Sequence, residues 1–205
     1  GDGKVYVEYN GRIEAFDETT LEPVWISEEL SHEETNSETG KTTTVDDTIA
    51  SRLFYDDGHL YFGTGKNSGS GKYYVIDTKS EKKEDATKTE EIKNVKEIIS
   101  SEGSFYLKNA VKVGQYIITS DNQGTISSID TKNNDKVVST KEIGKRFSGG
   151  IAYDKTTNMI YFVAGTNDLY GVKVGNDGTF GEEKSVRVYE TGYSAMTPEV
   201  YNGKV

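Results

Sequence analysis

The sequence predicts an all-β fold, a β-propeller built of four-stranded antiparallel blades, and three observations carry the prediction. The first is a repeat. A turn residue, one variable residue and an apolar, aromatic run recur as Gly3-Lys-Val-Tyr-Val, Gly58-His-Leu-Tyr-Phe, Gly114-Gln-Tyr-Ile-Ile and Asn158-Met-Ile-Tyr-Phe, with a truncated copy at Gly203-Lys-Val205. The intervals are 55, 56, 44 and 45 residues, a spacing that belongs to propeller blades. The second is periodicity: the runs are short, alternating and β-rich, whereas helical repeats of this length would show apolar residues every three to four positions. The third is punctuation, with Gly and Asn set between the runs where hairpin turns need them.

In the first unit, Asn10-Gly11 joins the opening run to a second strand over 12–16, and 23–27 make a third. Asn-Gly between two strand-like runs is a hairpin signal because both residues tolerate the positive φ of a type I′ turn. Residues 28–47 hold seven acids and one Lys among Thr, Ser and Asn, which predicts an exposed loop with nothing to bury. The second unit opens with a short strand over 52–55 and stretches a later turn into Lys66-Asn-Ser-Gly-Ser-Gly-Lys72, a flexible insertion. Residues 79–97 are of mixed charge; Ile92, Val95 and the nearby Ile99 fit either a short helix or an irregular outer strand.

The third unit runs through 109–113, the Gly114 motif, the turn Asp121-Asn-Gln-Gly124, and strands over 125–130 and 136–143. The fourth takes 150–153, the Asn158 motif, the turn Gly165-Thr-Asn167, and strands over 169–174 and 183–189. A further strand is expected over 196–201. The chain thus reads as one propeller unit, with blades at about 1–48, 49–100, 101–146 and 147–192 and the start of another over 193–205. Either the strand at 196–201 completes the first blade and closes a four-bladed ring, or the blades form an arc of a six- to eight-bladed propeller. The duplicated Gly-Lys-Val favours the arc, whose two exposed edges the rest of a larger polypeptide or a partner would cover.

Composition narrows the function. Thirty-four acids against 24 bases give a net charge of −10, which argues against nucleic acid as a partner. No apolar run approaches the roughly 20 residues of a membrane span, and no charged-then-apolar leader opens the chain, so the expectation is a soluble, mature piece without membrane insertion. With no Cys there is no disulfide framework, thiolate nucleophile or Cys-ligated zinc, and the redox compartment stays open.

The segment Ala15-Phe-Asp17-Glu-Thr-Thr20-Leu-Glu-Pro-Val-Trp25 closely resembles the docking motif of pyrroloquinoline-quinone-like propeller repeats, in which Ala, Asp, Thr-Gly and Trp fall at these spacings. The Gly of that motif is lost, at Leu21. The third unit matches in part, with Ser128-Ile-Asp130 and Val138 in the place of Trp; the second keeps Val75-Ile-Asp77, and the fourth, with Gly171-Val-Lys173, drops the Asp. The resemblance implies that Trp25 docks between blades. Independently of it, an Asp before a turn accepts hydrogen bonds from the turn's N–H groups, and a Trp supplies a large apolar surface whose indole N–H seeks one acceptor. Ala15, Asp17, Thr20, Trp25, Asp77 and Asp130 are therefore read as structural. Equivalent positions of successive blades are spread around a ring, so the three Asp do not make a catalytic set.

No catalytic constellation is found, and the expectation is a chain that is not an enzyme. His32 and His59 are the two histidines, one in the acidic segment and one at a strand start. No run fits a calcium loop; Asn176-Asp177-Gly178 reads as a β-turn, and the acids of 28–47 as a solvated loop rather than a weak calcium site. Quinone-binding members of the resembled family have an eight-bladed disc, a calcium site and often adjacent cysteines, and nothing here assembles that pocket, so no cofactor or metal is expected. Tyr73, Tyr74, Tyr153, Tyr170, Tyr189 and Tyr193 could stack on sugars or anchor a protein, but Tyr also fits half-buried strands. The reading is a non-catalytic binding or scaffolding propeller of a bacterial extracellular or cell-surface protein, engaging a protein or glycan. The alternative is a propeller-based lyase, hydrolase or quinone-dehydrogenase remnant with acids and tyrosines at the central funnel.

Overall fold

The computed structural model describes residues 1–79, 90–92, 95–188, 190 and 194–205. Its first strands are β1 (Lys4–Tyr9), β2 (Arg12–Asp17), β3 (Pro23–Ser27), β4 (Ser31–Thr35), β5 (Thr42–Asp46), β6 (Phe54–Asp56), β7 (His59–Gly63), β8 (Gly71–Asp77) and β9 (Glu90–Ile92). There follow β10 (Val95–Ser101), β11 (Ala110–Val113), β12 (Tyr116–Ser120), β13 (Thr125–Asp130), β14 (Lys136–Glu142), β15 (Ala152–Asp154), β16 (Met159–Ala164), β17 (Asp168–Val174) and β18 (Phe180–Arg187). Among the described residues there is no helix, and so none long and apolar enough to cross a membrane.

The strands form four four-stranded sheets, the blades of a propeller arc. Blades two, three and four are antiparallel meanders: β6-β7-β8-β10, β11-β12-β13-β14 and β15-β16-β17-β18. The first blade is β1-β2-β3 with β9 added on the outside, parallel to β3 from Trp25↔Glu90 to Ser27↔Ile92. Part of the stretch expected as helix or irregular strand is thus outer strand, β9 and β10, while residues 80–89, 93 and 94 lie outside the described set.

Period-two alternation lets each blade present one apolar face to each neighbour. Leu60 and Phe62 join Ile13, Ala15 and Trp25 in the core between blades one and two. Tyr61, pointing the other way, joins Ile117 and Ile129 between blades two and three. Tyr116, Ile118 and Ile126 meet Ile160, Phe162 and Val172 between blades three and four.

The third copy of the repeat is displaced by one residue from its sequence alignment. Sequence matching sets Gln115 against His59, but His59 pairs with Asp77 as Tyr116 pairs with Asp130. The cause is in the turns. Asp57-Gly58 has positive φ at both residues (44° and 84°), whereas Gly114-Gln115 has it at Gly114 (61°) and not at Gln115, so the glycine moves from the second to the first turn position as type I′ gives way to II′.

Two further expectations are corrected. Residues 28–47 are not all loop: β4 and β5 pair antiparallel from Ser31↔Asp46 to Thr35↔Thr42. The β-branched threonines favour a pleated strand, the Thr35 and Thr42 hydroxyls bond across it at 2.9 Å, and Asn36 Oδ1 receives the N–H groups of Glu38 and Thr39 in the turn. Residues 196–201 form no strand; Tyr201 makes a single bridge to Lys204, and Met196 and Tyr201 are exposed. Strand β1 pairs with β2 and with no other described strand. The sheets are therefore not closed into a four-bladed ring, and the arc is the form observed.

The segments leading into each blade are stitched to one another. Arg52 N–H donates to Lys108 O (2.8 Å) and Leu107 N–H to Ala50 O (2.9 Å). Asn109 both donates to Ile151 O (3.0 Å) and accepts from Ile151 N–H (2.7 Å). Residues 196 and 197 follow the same pattern, lying so close to Gly149 and Gly150 that a Cβ at Gly149 would meet Met196 O at 2.4 Å.

Candidate functional site

The motif residues read from the sequence each serve their own blade. Asp17 Oδ1 receives the N–H groups of Thr19 and Thr20, both at 2.9 Å, and Thr20 Oγ1 that of Glu22 at 3.3 Å. Asp77 Oδ1 receives Lys79 N–H, and Asp130 Oδ1 receives Lys132 N–H and Gln115 Nε2. Leu21, in the motif's glycine position, has φ +58°, the left-handed conformation that glycine adopts without cost. Ala15 and Trp25 are fully buried between blades one and two, with Tyr6 tilted against the indole at 5.7 Å. The expected acceptor for the indole is not found among the described residues, where Trp25 Nε1 has no hydrogen-bond partner.

The tyrosines weighed as ligand anchors sit elsewhere. Tyr73, Tyr74 and Tyr170 are buried; Tyr74 donates to Asp47 (3.1 Å), and Tyr153, half-buried, to Asn158 Oδ1 (2.6 Å). Tyr189 and Tyr193 lie outside the described residues, as does the side chain of His32. No group of three His, Asp or Glu side chains among the described residues could hold a metal ion.

The convergence of polar groups lies where the lead-in segments meet the turns between second and third strands. Asp121 Oδ1 accepts the N–H groups of Gln123, Gly124 and Thr125 at 2.9–3.0 Å, and its Oδ2 takes the Ser101 hydroxyl at 2.6 Å. Beside it Asn122 accepts Ser104 N–H (3.0 Å) and donates to Asn67 O (3.0 Å) and Ser104 Oγ (2.8 Å). Ser104 Oγ donates to Lys66 O, and one Arg146 nitrogen to Asn67 O and Oδ1 at 2.9 and 2.8 Å. The insertion at 66–72, expected to be flexible, is therefore tied at Lys66 and Asn67 to blade three and to Arg146, at the entry to blade four. Two clefts open here: one of ≈420 Å³ lined by Glu102, Asp121, Gln123, Thr125 and Glu142, and one of ≈280 Å³ lined by Asn67, Ser68, Gly69, Asn122, Gln123 and Arg146.

Below this face lies Lys108, 1% exposed, whose ammonium donates to the carbonyls of Phe147 (2.9 Å) and Gly149 (3.2 Å). Burial pushes its pKa down to about 8, with the charge of Arg146 adding to the shift and Asp121 opposing it. On the same lead-in segment Tyr106 and Leu107 are 38% and 56% exposed, and Leu107 holds φ +58°. Sequence reading missed this assembly. Lys108 stands in no motif, and the Asp121-Asn-Gln-Gly124 turn discloses its own geometry but not what it touches.

A third cleft, of ≈470 Å³, is lined by residues that include Asp56, Asp57, His59, Tyr61, Lys112 and Lys132. It gathers several ionisable groups, of which Asp56 pairs with Lys112 and Tyr61 donates to Asp135 at 2.7 Å. Burial and that carboxylate push the Tyr61 pKa well above its ordinary value, so its proton is held.

No protein-family profile matches the chain, and no curated protein matches it. Among solved structures it is similar to the computationally designed Ika8 protein, at TM-score 0.50 and 13% identity over 88% of this chain and 45% of that one. It is likewise similar to the WD40 domain of Neurospora crassa Pan2, at TM-score 0.50 and 12% identity over 90% and 47%. The chain thus spans less than half the length of either. At such identity the likeness is one of fold, and with the four blades it makes this chain a propeller arc.

Proposed function

We propose that the chain is a non-catalytic binding or scaffolding part of a propeller of the pyrroloquinoline-quinone-like kind, belonging to a bacterial extracellular or cell-surface protein. Its ligand is a protein or a glycan, taken on the face formed by residues 66–69, 101–107, 121–125 and 146. The observation that carries this reading is the fixation of the 66–72 insertion by Ser104, Asn122 and Arg146. A turn longer than its blade requires is anchored at Lys66 and Asn67 beside the ≈280 Å³ cleft, which lowers the ordering cost of binding. Exposed Tyr106 and Leu107 on the lead-in segment that carries Ser104, with exposed Arg146 on Asn67, favour a protein partner, since Tyr and Arg dominate binding hot spots. The family membership rests on the motif from Ala15 to Trp25, and the compartment on that resemblance together with the acidic, Cys-free composition.

The test is a pull-down from bacterial surface extracts in parallel with a glycan array, using the chain and an Arg146→Ala/Tyr106→Ala variant. Capture of a protein or glycan by the chain and its loss in the variant supports the reading. Binding of neither, or equal binding by both proteins, refutes this face as the site.

A further inference from the structure

The ≈280 Å³ cleft between the 66–69 loop, the 121–124 turn and Arg146 has no carboxylate in its lining, although the chain carries a net charge of −10. It is rich in donors that the chain leaves unused. Arg146 gives one terminal nitrogen to Asn67 O and Oδ1, while its Nε and other terminal nitrogen have no acceptor among the described residues. The N–H groups of Ser68 and Gly69 and the Ser68 hydroxyl have none among them either. Arg12 and Arg187 are paired with the carboxylates of Glu29 and Asp168, whereas the acceptors of Arg146 are amide oxygens. The buried Lys108 ammonium adds a positive charge beneath, bonded to the carbonyls of Phe147 and Gly149 rather than to a carboxylate. On the other side of the 121–124 turn the ≈420 Å³ cleft carries Glu102, Asp121 and Glu142, and Gln123 borders both clefts. An anion is therefore repelled from one cleft and drawn to the other.

We propose that the Arg146 cleft receives a carboxylate of the partner protein, an Asp or Glu side chain on an exposed segment, held by Arg146 and by the N–H and hydroxyl donors of Ser68 and Gly69. This rests on the reading of the surrounding face as one that binds a protein, and it adds the chemistry recognised there. Hydrogen bonds from a guanidinium and from successive loop N–H groups are strengthened when their acceptor is charged. The guanidinium is also fixed before a ligand arrives, because its two bonds to Asn67 hold it against the loop, and a donor already in place costs less to order.

Proton–nitrogen NMR of the 205-residue chain, titrated with Nα-acetylglutamate amide at constant ionic strength, tests this. Saturable shifts are expected at Ser68, Gly69 and the Arg146 Nε–H, with a dissociation constant on the order of 10 mM for so exposed an ion pair. Gly103 and Gly144, in the acidic cleft, should not shift. Asn67→Asp keeps an oxygen for Arg146 to hold, and with it the anchoring of the loop, but fills the cleft with a carboxylate of the chain's own. It should weaken binding at least about tenfold, as should Arg146→Gln. Shifts that fail to saturate by about 100 mM, equal shifts with Nα-acetylglutamine amide, or unaltered binding by Asn67→Asp overturn the proposal. Tighter binding of methyl galacturonide than of acetylglutamate amide overturns the protein source in favour of an acidic glycan. The pull-down fails separately: capture without these shifts refutes the carboxylate site and not the face, whereas shifts without capture refute the protein partner and not the chemistry of the cleft.

Discussion

Lys108 makes the stability of the arc depend on alkaline pH in a direction opposite to that of its tyrosines. The ammonium is 1% exposed, and burial lowers its pKa from 10.5 to about 8. Between those values the unfolded chain binds the proton and the folded chain does not, so stability rises with pH across that window. The full difference is about 3 kcal/mol at 1.36 kcal/mol per pKa unit, and about 2 kcal/mol of it is realised between pH 7.5 and 10. Tyr61, Tyr73 and Tyr74 have pKa values raised mainly by burial, so they retain protons that the unfolded chain releases, and stability falls as pH passes 10. The lysine contribution is isolated by Lys108→Met. That variant leaves the carbonyls of Phe147 and Gly149 without their donor, a cost that does not vary with pH, and it keeps the tyrosines. Urea unfolding of both proteins from pH 7 to 10 measures the difference. The wild type should gain about 2 kcal/mol on the variant as pH rises from 7.5 to 10. Parallel profiles would refute the claim that a charged lysine is strained in this junction.

Leu21→Gly relieves a left-handed φ that costs a non-glycine residue roughly 1–2 kcal/mol and adds unfolded-chain entropy of about 0.4–1 kcal/mol; with Leu21 exposed, a net stabilisation of about 0.5 kcal/mol is expected by urea unfolding, and a loss would contradict it. Trp25→Ala should cost about 3–5 kcal/mol through the cavity between blades one and two. Trp25→Phe should cost much less, because the indole N–H it removes has no acceptor among the described residues; equal losses in thermal unfolding would show that the N–H matters. In acid, Asp154, Asp168, Asp177 and Glu183, whose pKa values are lowered chiefly by hydrogen bonds from Thr156, Arg187, Thr179 and Lys141 respectively, should lose their contribution as pH falls through those folded values. Melting temperature at low salt should therefore fall below about pH 4, and a flat profile from pH 5 to 2 would count against these pairings.

What the sequence disclosed and what it concealed divide by range. Turn chemistry is local: Asp17, Asp77 and Asp130 bind N–H groups two or three residues onward, and Asn10-Gly11 fixes its own hairpin, so these features could be read directly. Register is one step less local. The Gly58 and Gly114 motifs match by eye, yet moving glycine from the second to the first turn position displaces the pairing by one residue. Since strand faces alternate, that single step decides that Ile117 faces blade two and Ile118 blade four. Residues 28–47 misled because acidity outweighed the run of threonines that pairs Ser31–Thr35 with Thr42–Asp46. The stitching by Lys108, Asn109, Asn122 and Arg146 joins residues separated by as many as 79 positions in sequence, and no local pattern predicts such partners.

That division bears on where function can reside. In a repeat fold the recurring residues are consumed by what every blade must do, namely hold its turns and bury its two faces. Asp17 and Trp25 meet those demands in blade one, and Tyr61 with Asp135 meets them between blades two and three. A ligand can be recognised only by what one blade has and the others lack. By that criterion the 66–72 insertion, the exposed Tyr106-Leu107 step and Arg146 stand apart, and they are the features that converge above the junctions of blades two to four. The apolar groove that Tyr161 lines with Leu169 and Val186 is of the opposite kind. Tyr161 there stands at the repeat position that Tyr61 holds in blade two, so the groove offers nothing that sets blade four apart.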